Sequence, residues 1–143
     1  NNDSLKASLS DKSFDYVFNL GGYIDHLFYS KGGRQMIDAH FTALMNLIDC
    51  LDKTNLKRFI QIGSSDEYGN APAPQNESLR EMSIAPYSFA KTAASHLIQM
   101  LNHTEGFPGV VIRLFLVYGP GQDAKRFLPQ IIKSFLFHSL QKR

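Results

Sequence analysis

Tyr87 and Lys91 stand four residues apart in a stretch with helical periodicity. On a helix, positions i and i+4 share a face one turn apart, so an ammonium would sit beside a phenol. A nearby cation favours the phenolate and lowers the tyrosine pKa, which lets the phenol exchange a proton with a hydroxyl near neutral pH. Ser64 and Ser65 follow the apolar run 56–62 (LKRFIQI) and Gly63, where their hydroxyls emerge at the end of a strand. A serine there can hydrogen-bond the same oxygen that Tyr87 protonates; an ordinary Gly-Ser turn is the competing reading. Asp66 and Glu67 come next, a carboxylate pair suited either to acid/base work or to a solvated or structural role.

The elements that must position these groups are legible as periodicities. Residues 14–20 (FDYVFNL) form a short apolar run closed by Gly21 and Gly22, the pattern of a buried strand. From 34 to 53, Ile37, Phe41, Leu44, Ile48 and Leu51 recur at spacings of four and three, the stripe of an amphipathic helix. Residues 56–62 give a second strand, and a loop rich in Gly, Pro, Asn and Ser runs from 64 to 86. A second helix is expected over 87–103, with Ala90, Ala94, Leu97 and Leu101 on one side and Gly106 and Pro108 ending it. Residues 110–117 read as a third, nearly all-apolar strand. After Gly119-Pro120-Gly121, a last helix carries Leu128, Ile131, Ile132, Phe135 and Leu136. Strands alternating with helices predict an α/β fold with a parallel sheet, helices on both faces and right-handed crossovers. Ligands of such sheets sit at the carboxyl ends of the strands, here 20–22, 62–65 and 117–121.

Composition narrows the function classes. With 43% hydrophobic and 20% charged residues and a net charge of +2, the 143 residues fit one soluble domain without a basic surface for nucleic acid. Lys125, Arg126, Lys133, Lys142 and Arg143 make the C-terminal end locally basic, which reads as a solvated helix face. The single cysteine, Cys50, lies in an apolar helical pattern and reads as core filling; it points to a reducing compartment. No apolar run approaches the roughly 20 residues needed to cross a bilayer, and no charged-then-apolar leader is visible. His26, His40, His96, His103 and His138 lack metal-ligand spacing, so packing or surface roles are expected and no metal. The polar stretch 1–12 without a methionine, and a stop directly after an amphipathic helix, give both ends the look of cut ends.

Three segments in order, GSSDEYG (63–69), YSFAK (87–91) and RLFLVYGPG (113–121), resemble the extended short-chain dehydrogenases/reductases. More closely they resemble the NAD-dependent epimerase/dehydratase branch, which acts on nucleotide sugars. The resemblance runs from about Phe14 to the end of the chain. It implies a partial Rossmann-like, doubly wound parallel sheet of three strands alternating with helices. Residues 1–143 would be the central part of the NAD(P)-binding domain, with the first strands and most of the substrate domain absent.

Residue by residue, the resemblance makes Tyr87 the acid/base, while Lys91 binds the nicotinamide ribose and lowers the tyrosine pKa. Ser65 becomes the hydroxyl partner of the substrate. The backbone of Leu20, Gly21 and Gly22 would pass close to NAD or NADP, together with Ile62, Gly63 and Ser64. Phe115 and Val117 would border the nicotinamide, and Lys125, Arg126 and Phe127 would begin the contacts to the nucleotide sugar. In the 4,6-dehydratases an Asp-Glu pair in this loop eliminates water. The loop here is one residue shorter, so Asp66 and Glu67 stand between that role and a structural one, and the short form resembles the 4-keto-sugar reductases.

Other departures are Asn19 for a histidine, Gly21 and Gly22 for two alanines, His40 for a helix asparagine and Leu116 for an asparagine. The formal G-x-G-x-x-A of 119–124 lacks the downstream acidic residue of a dinucleotide site. The glycine-rich phosphate loop is expected upstream of Phe14. The family further implies a homodimer of the full-length protein, while cysteine usage, charge and hydropathy lead to the expectation of a cytoplasmic location with no nucleic-acid or membrane partner. A non-catalytic Rossmann-like fragment is the competing reading from another class.

Overall fold

A computed structural model describes residues 2–141; Lys142, Arg143 and the side chain of His138 lie outside what is described. The elements in chain order are α1 (Asn2–Leu9), β1 (Tyr16–Asn19), a 3-10 turn (Tyr29–Lys31), α2 (Gly33–Ile37), a π-helical turn (Asp38–Thr42) and α3 (Ala43–Cys50). They continue with β2 (Arg58–Ser64), a 3-10 turn (Ser65–Tyr68), α4 (Pro86–Glu105), β3 (Gly109–Leu114) and α5 (Phe127–Gln141). The three strands form one parallel sheet in the order β1-β2-β3. The alternation and the parallel pairing are as expected from the sequence.

Alternation along each strand sorts the side chains. Val17, Phe59 and Val111 point to the face on which α3 and α4 pack, and Leu44, Ile48, Leu51, Leu56, Phe59, Ala94, Ile98 and Phe107 close a continuous core there. Phe59 is wholly buried and its ring lies 5.4 Å from that of Phe107. Burying such a side chain contributes about 1.5–3 kcal/mol. The opposite face presents Tyr16, Phe18, Val110, Ile112 and Leu114, all exposed.

Helix α4 carries the site, and its start is well determined. Pro86 occupies the first turn, where a missing N–H costs nothing. Ser88 Oγ accepts from the N–H groups of Ile84 (3.1 Å) and Ala85 (3.0 Å), fixing the entry of the chain. Gly106, at φ 67°, ends the helix in the left-handed conformation that glycine adopts without strain.

The structure differs from the sequence expectations in four places. The polar opening stretch contains a short helix, α1, whose Leu5 and Leu9 are half-buried and which packs on α3. The helix expected over 34–53 is interrupted by the π turn. The loop after β2 opens with a 3-10 turn. The third strand ends at Leu114, because beyond its last pairing with Ser64 the segment Phe115–Tyr118 has no ladder partner and lies exposed.

Candidate active site

The sheet delivers β2 to the N-terminal half of α4, and at that junction Tyr87 and Lys91 are both buried, at 5% and 6% exposure. The Lys91 ammonium lies 5.9 Å over the Tyr87 ring and donates to the Ile62 carbonyl at 2.8 Å. Ser64, the last residue of β2, is the neighbouring hydroxyl that favours the phenolate of Tyr87. Ser65, the expected hydroxyl partner of the substrate, follows it as the first residue of the 3-10 turn.

Ser64 is held there by a local device. Its Oγ accepts from the Asp66 N–H (3.2 Å), while its own N–H donates to Glu67 Oε1 (2.9 Å). This is a capping box, Ser-x-x-Glu, closing the 3-10 turn. The pattern stands in the sequence as Ser64-Ser65-Asp66-Glu67 and is the signal that identifies which serine is fixed.

Of the two readings left open for Glu67, its surroundings fit the structural one. Its side chain is completely buried. Besides the Ser64 N–H, it accepts from Ser95 Oγ at 2.7 Å and from Arg113 Nε at 2.9 Å. Arg113 also reaches the Tyr68 hydroxyl (3.3 Å) and Glu81, and Glu81 meets His96 Nε2 at 3.3 Å. Burial disfavours the charge on Arg113, but Tyr68, Glu67 and Glu81 together raise its pKa. Gly63 adjoins this network: a Cβ there would lie 2.5 Å from Glu67 Oε1. Asp66 remains half-buried, and its charge acts on Tyr87.

The electrostatics of the pair also differ from expectation. Burial raises the pKa of Tyr87, opposed by the Ser64 hydrogen bond and reinforced by the charges of Asp66 and Glu67. The Lys91 ammonium, 5.9 Å from the Tyr87 ring, is engaged by the Ile62 carbonyl. Burial in turn lowers the pKa of Lys91, and Glu67 partly offsets this.

A polar chain links the carboxyl ends of β1 and β2 to Lys91. Gly21 N–H donates to Asn19 Oδ1 (3.3 Å), Asn19 Nδ2 donates to Gln61 Oε1 (2.8 Å), and Gln61 Nε2 donates to the Ile62 carbonyl (3.1 Å). Gln61 is 2% exposed and was not singled out from the sequence. Its signal was an amide on the inward face of an otherwise apolar strand. Two rings meet the Tyr87 ring edge-on, His40 at 5.2 Å and His26 at 5.9 Å.

The remaining expected positions stand apart. Leu20, Gly21 and Gly22 are exposed at the end of β1, beside this cluster through Asn19. Phe115 stacks on Tyr68 at 6.2 Å, and Val117 is exposed. Lys125, Arg126 and Phe127 are exposed, and the hydrogen bonds of the first two stay local to Asp123 and Gln130. Among the described residues no group of His, Cys, Asp and Glu could hold a metal ion, and no helix is long and apolar enough to cross a membrane.

Comparison with known proteins places this geometry. The family model described as the NAD dependent epimerase/dehydratase family matches residues 1–139. A dTDP-D-glucose 4,6-dehydratase of Dictyostelium discoideum is 25% identical, the match covering 92% of this chain and 33% of that protein. A UDP-glucose epimerase of Bacillus subtilis, YtcB, described as uncharacterized, is 26% identical over 93% of this chain and 48% of its own length. The UDP-glucuronic acid 4-epimerase from Bacillus cereus in complex with NAD superposes with a TM-score of 0.77 at 26% identity, over 92% of this chain and 42% of that one. RMD from Pseudomonas aeruginosa, complexed with NADPH, gives 0.78 at 26% identity, over 94% and 47%. The chain spans between a third and a half of the length of these relatives. It belongs to the NAD dependent epimerase/dehydratase family.

Proposed function

We propose that this chain carries the acid/base centre of an NAD(P)-dependent enzyme that acts on a nucleotide-linked sugar. The observation that carries the reading is the buried Tyr87–Lys91 pair, with the ammonium 5.9 Å over the ring, beside Ser64 at the carboxyl end of β2. The names of the relatives, UDP- and dTDP-sugar epimerases and dehydratases, supply the substrate class.

When bound, NAD(P) supplies the acceptor or donor of the hydride that leaves or returns to the sugar carbon. The proton falls to this chain: Tyr87 Oη takes it from the sugar hydroxyl as the carbonyl forms, or gives it back. Ser64 Oγ orients the same sugar oxygen. Lys91 uses one donor on Ile62, so two donors remain for ribose hydroxyls. Exclusion of water at Tyr87 follows from its burial. The exposed backbone of Leu20, Gly21 and Gly22 fits the close approach of a flat ring, since two glycines leave no side chain in the way.

The sequestration of Glu67 favours epimerisation or 4-keto reduction over 4,6-dehydration. A carboxylate with both oxygens bound to Ser64, Ser95 and Arg113 is not free to abstract a sugar proton. A cytoplasmic location rests on the single cysteine, and a homodimer of the full-length protein on the family resemblance alone.

The test supplies full-length protein with NAD or NADP and a panel of UDP- and dTDP-hexoses. Tyr87→Phe abolishes turnover while the fold, followed by circular dichroism, is unchanged; retained turnover overturns the mechanism. A full-length protein that binds neither cofactor favours the non-catalytic reading.

A further inference from the structure

The helical segment between β1 and β2 widens into a π turn at Asp38–Thr42, a conformation found disproportionately at functional sites. It delivers His40, which is 5% exposed. The His40 ring stands edge-on to Tyr87, with centroids 5.2 Å apart and planes at 84°. Its Nε2 lies 2.7 Å from the Tyr23 carbonyl, and since a carbonyl only accepts, the proton resides on Nε2. Its Cε1 fills the space beside Gly22, where a Cβ would sit 2.1 Å away and where φ is +126°. One side chain therefore touches the acid/base ring and grips the backbone that follows β1.

We propose that His40 is a positioning residue that sets the separation between the Gly21–Tyr23 backbone and the Tyr87 phenol, and so registers the nicotinamide against the acid/base. The inference rests on the proposed function, which places the cofactor against Leu20–Gly22. The sequence leaves His40 a packing or surface role, because its spacing fits no metal site. The grip it makes is a directed hydrogen bond to a loop carbonyl, and the ring fills the site of a side chain that glycine leaves empty. Errors of about 1 Å between reacting groups cost on the order of 100-fold in rate.

The experiment compares His40→Phe and His40→Gln in the full-length protein. Phenylalanine keeps the ring beside Tyr87 and loses the donor; glutamine loses the ring and keeps an N–H donor for Tyr23. His40→Phe is expected to lower kcat by about 10- to 100-fold, with KM for the nucleotide sugar unchanged, and to weaken NAD(P)H binding followed by nicotinamide fluorescence. His40→Gln is expected to recover most of both. Equal losses in the two variants, or none in His40→Phe, overturn the proposal. Should His40→Phe fail to fold, NMR of the unsubstituted protein decides: 15N shifts must show the His40 proton on Nε2, and a proton on Nδ1 alone overturns the grip on Tyr23. A fully active Tyr87→Phe variant would instead overturn the acid/base reading itself, whatever the His40 variants do.

Discussion

Glu67→Ala probes the network that fixes Ser64. The substitution removes a wholly buried carboxylate and with it three hydrogen bonds, from Ser64 N–H, Ser95 Oγ and Arg113 Nε. Breaking a buried ion pair by deleting one partner costs about 3–5 kcal/mol, because the other charge is left uncompensated. Arg113 keeps Glu81 and the Tyr68 hydroxyl, so its charge is not stranded, and the expected loss lies at the lower end, about 3 kcal/mol. Urea denaturation should show this as a lowered midpoint at constant slope. Replacing both partners, as Glu67→Met with Arg113→Met, should recover part of the loss, since an apolar pair of similar volume is often tolerated. A loss below about 1 kcal/mol for Glu67→Ala, the worth of an ordinary neutral hydrogen bond, would refute the view that this carboxylate holds the loop.

Gly63→Ala places a Cβ 2.5 Å from Glu67 Oε1, and overpacking of this kind costs about 1–3 kcal/mol. Combined with Glu67→Ala, the two losses should sum to less than their separate values, which a double-mutant cycle in urea measures. Burial, aided by the nearby Lys91 charge and opposed by the Tyr23 carbonyl, lowers the His40 pKa from 6.5. The unfolded chain therefore binds the proton more readily, so stability is full above 6.5 and falls as pH drops below it toward the lowered folded value. His40→Gln should flatten that part of the stability–pH curve, and an unchanged slope would assign it to another group.

The parts of the fold that were legible from sequence are those written in side-chain periodicity. Apolar runs gave the strands, and the stripe from Ile37 to Leu51 gave the helical segment before β2. That stripe does not reveal the π turn at Asp38–Thr42, since one widened turn barely shifts which residues face inward. The run Phe115–Tyr118 reads as strand because it is apolar, yet a strand also needs a ladder partner, and the register of β3 on β2 ends at Leu114. Tyr87 and Lys91 were legible because a spacing of four on a helix fixes their relation. Which of two adjacent serines turns toward Tyr87 depends on backbone direction after β2. That direction is set by the capping box, a pattern present in the sequence and overlooked beside the carboxylates' catalytic reading. Gln61 was hidden for the opposite reason, its role depending on Asn19 from another strand and on a carbonyl that it shares with Lys91.

The Ile62 carbonyl accepts from both Lys91 Nζ and Gln61 Nε2. A carbonyl has two lone pairs, and both are in use. A buried acceptor stripped of every donor costs about 1–3 kcal/mol, a penalty that would ordinarily oppose any swing of the lysine toward a ligand. With the glutamine amide remaining in place, the lysine can leave without stranding the oxygen. Gln61 thereby makes Lys91 a detachable donor: its resting bond keeps a desolvated ammonium satisfied, and its departure leaves the strand's backbone intact.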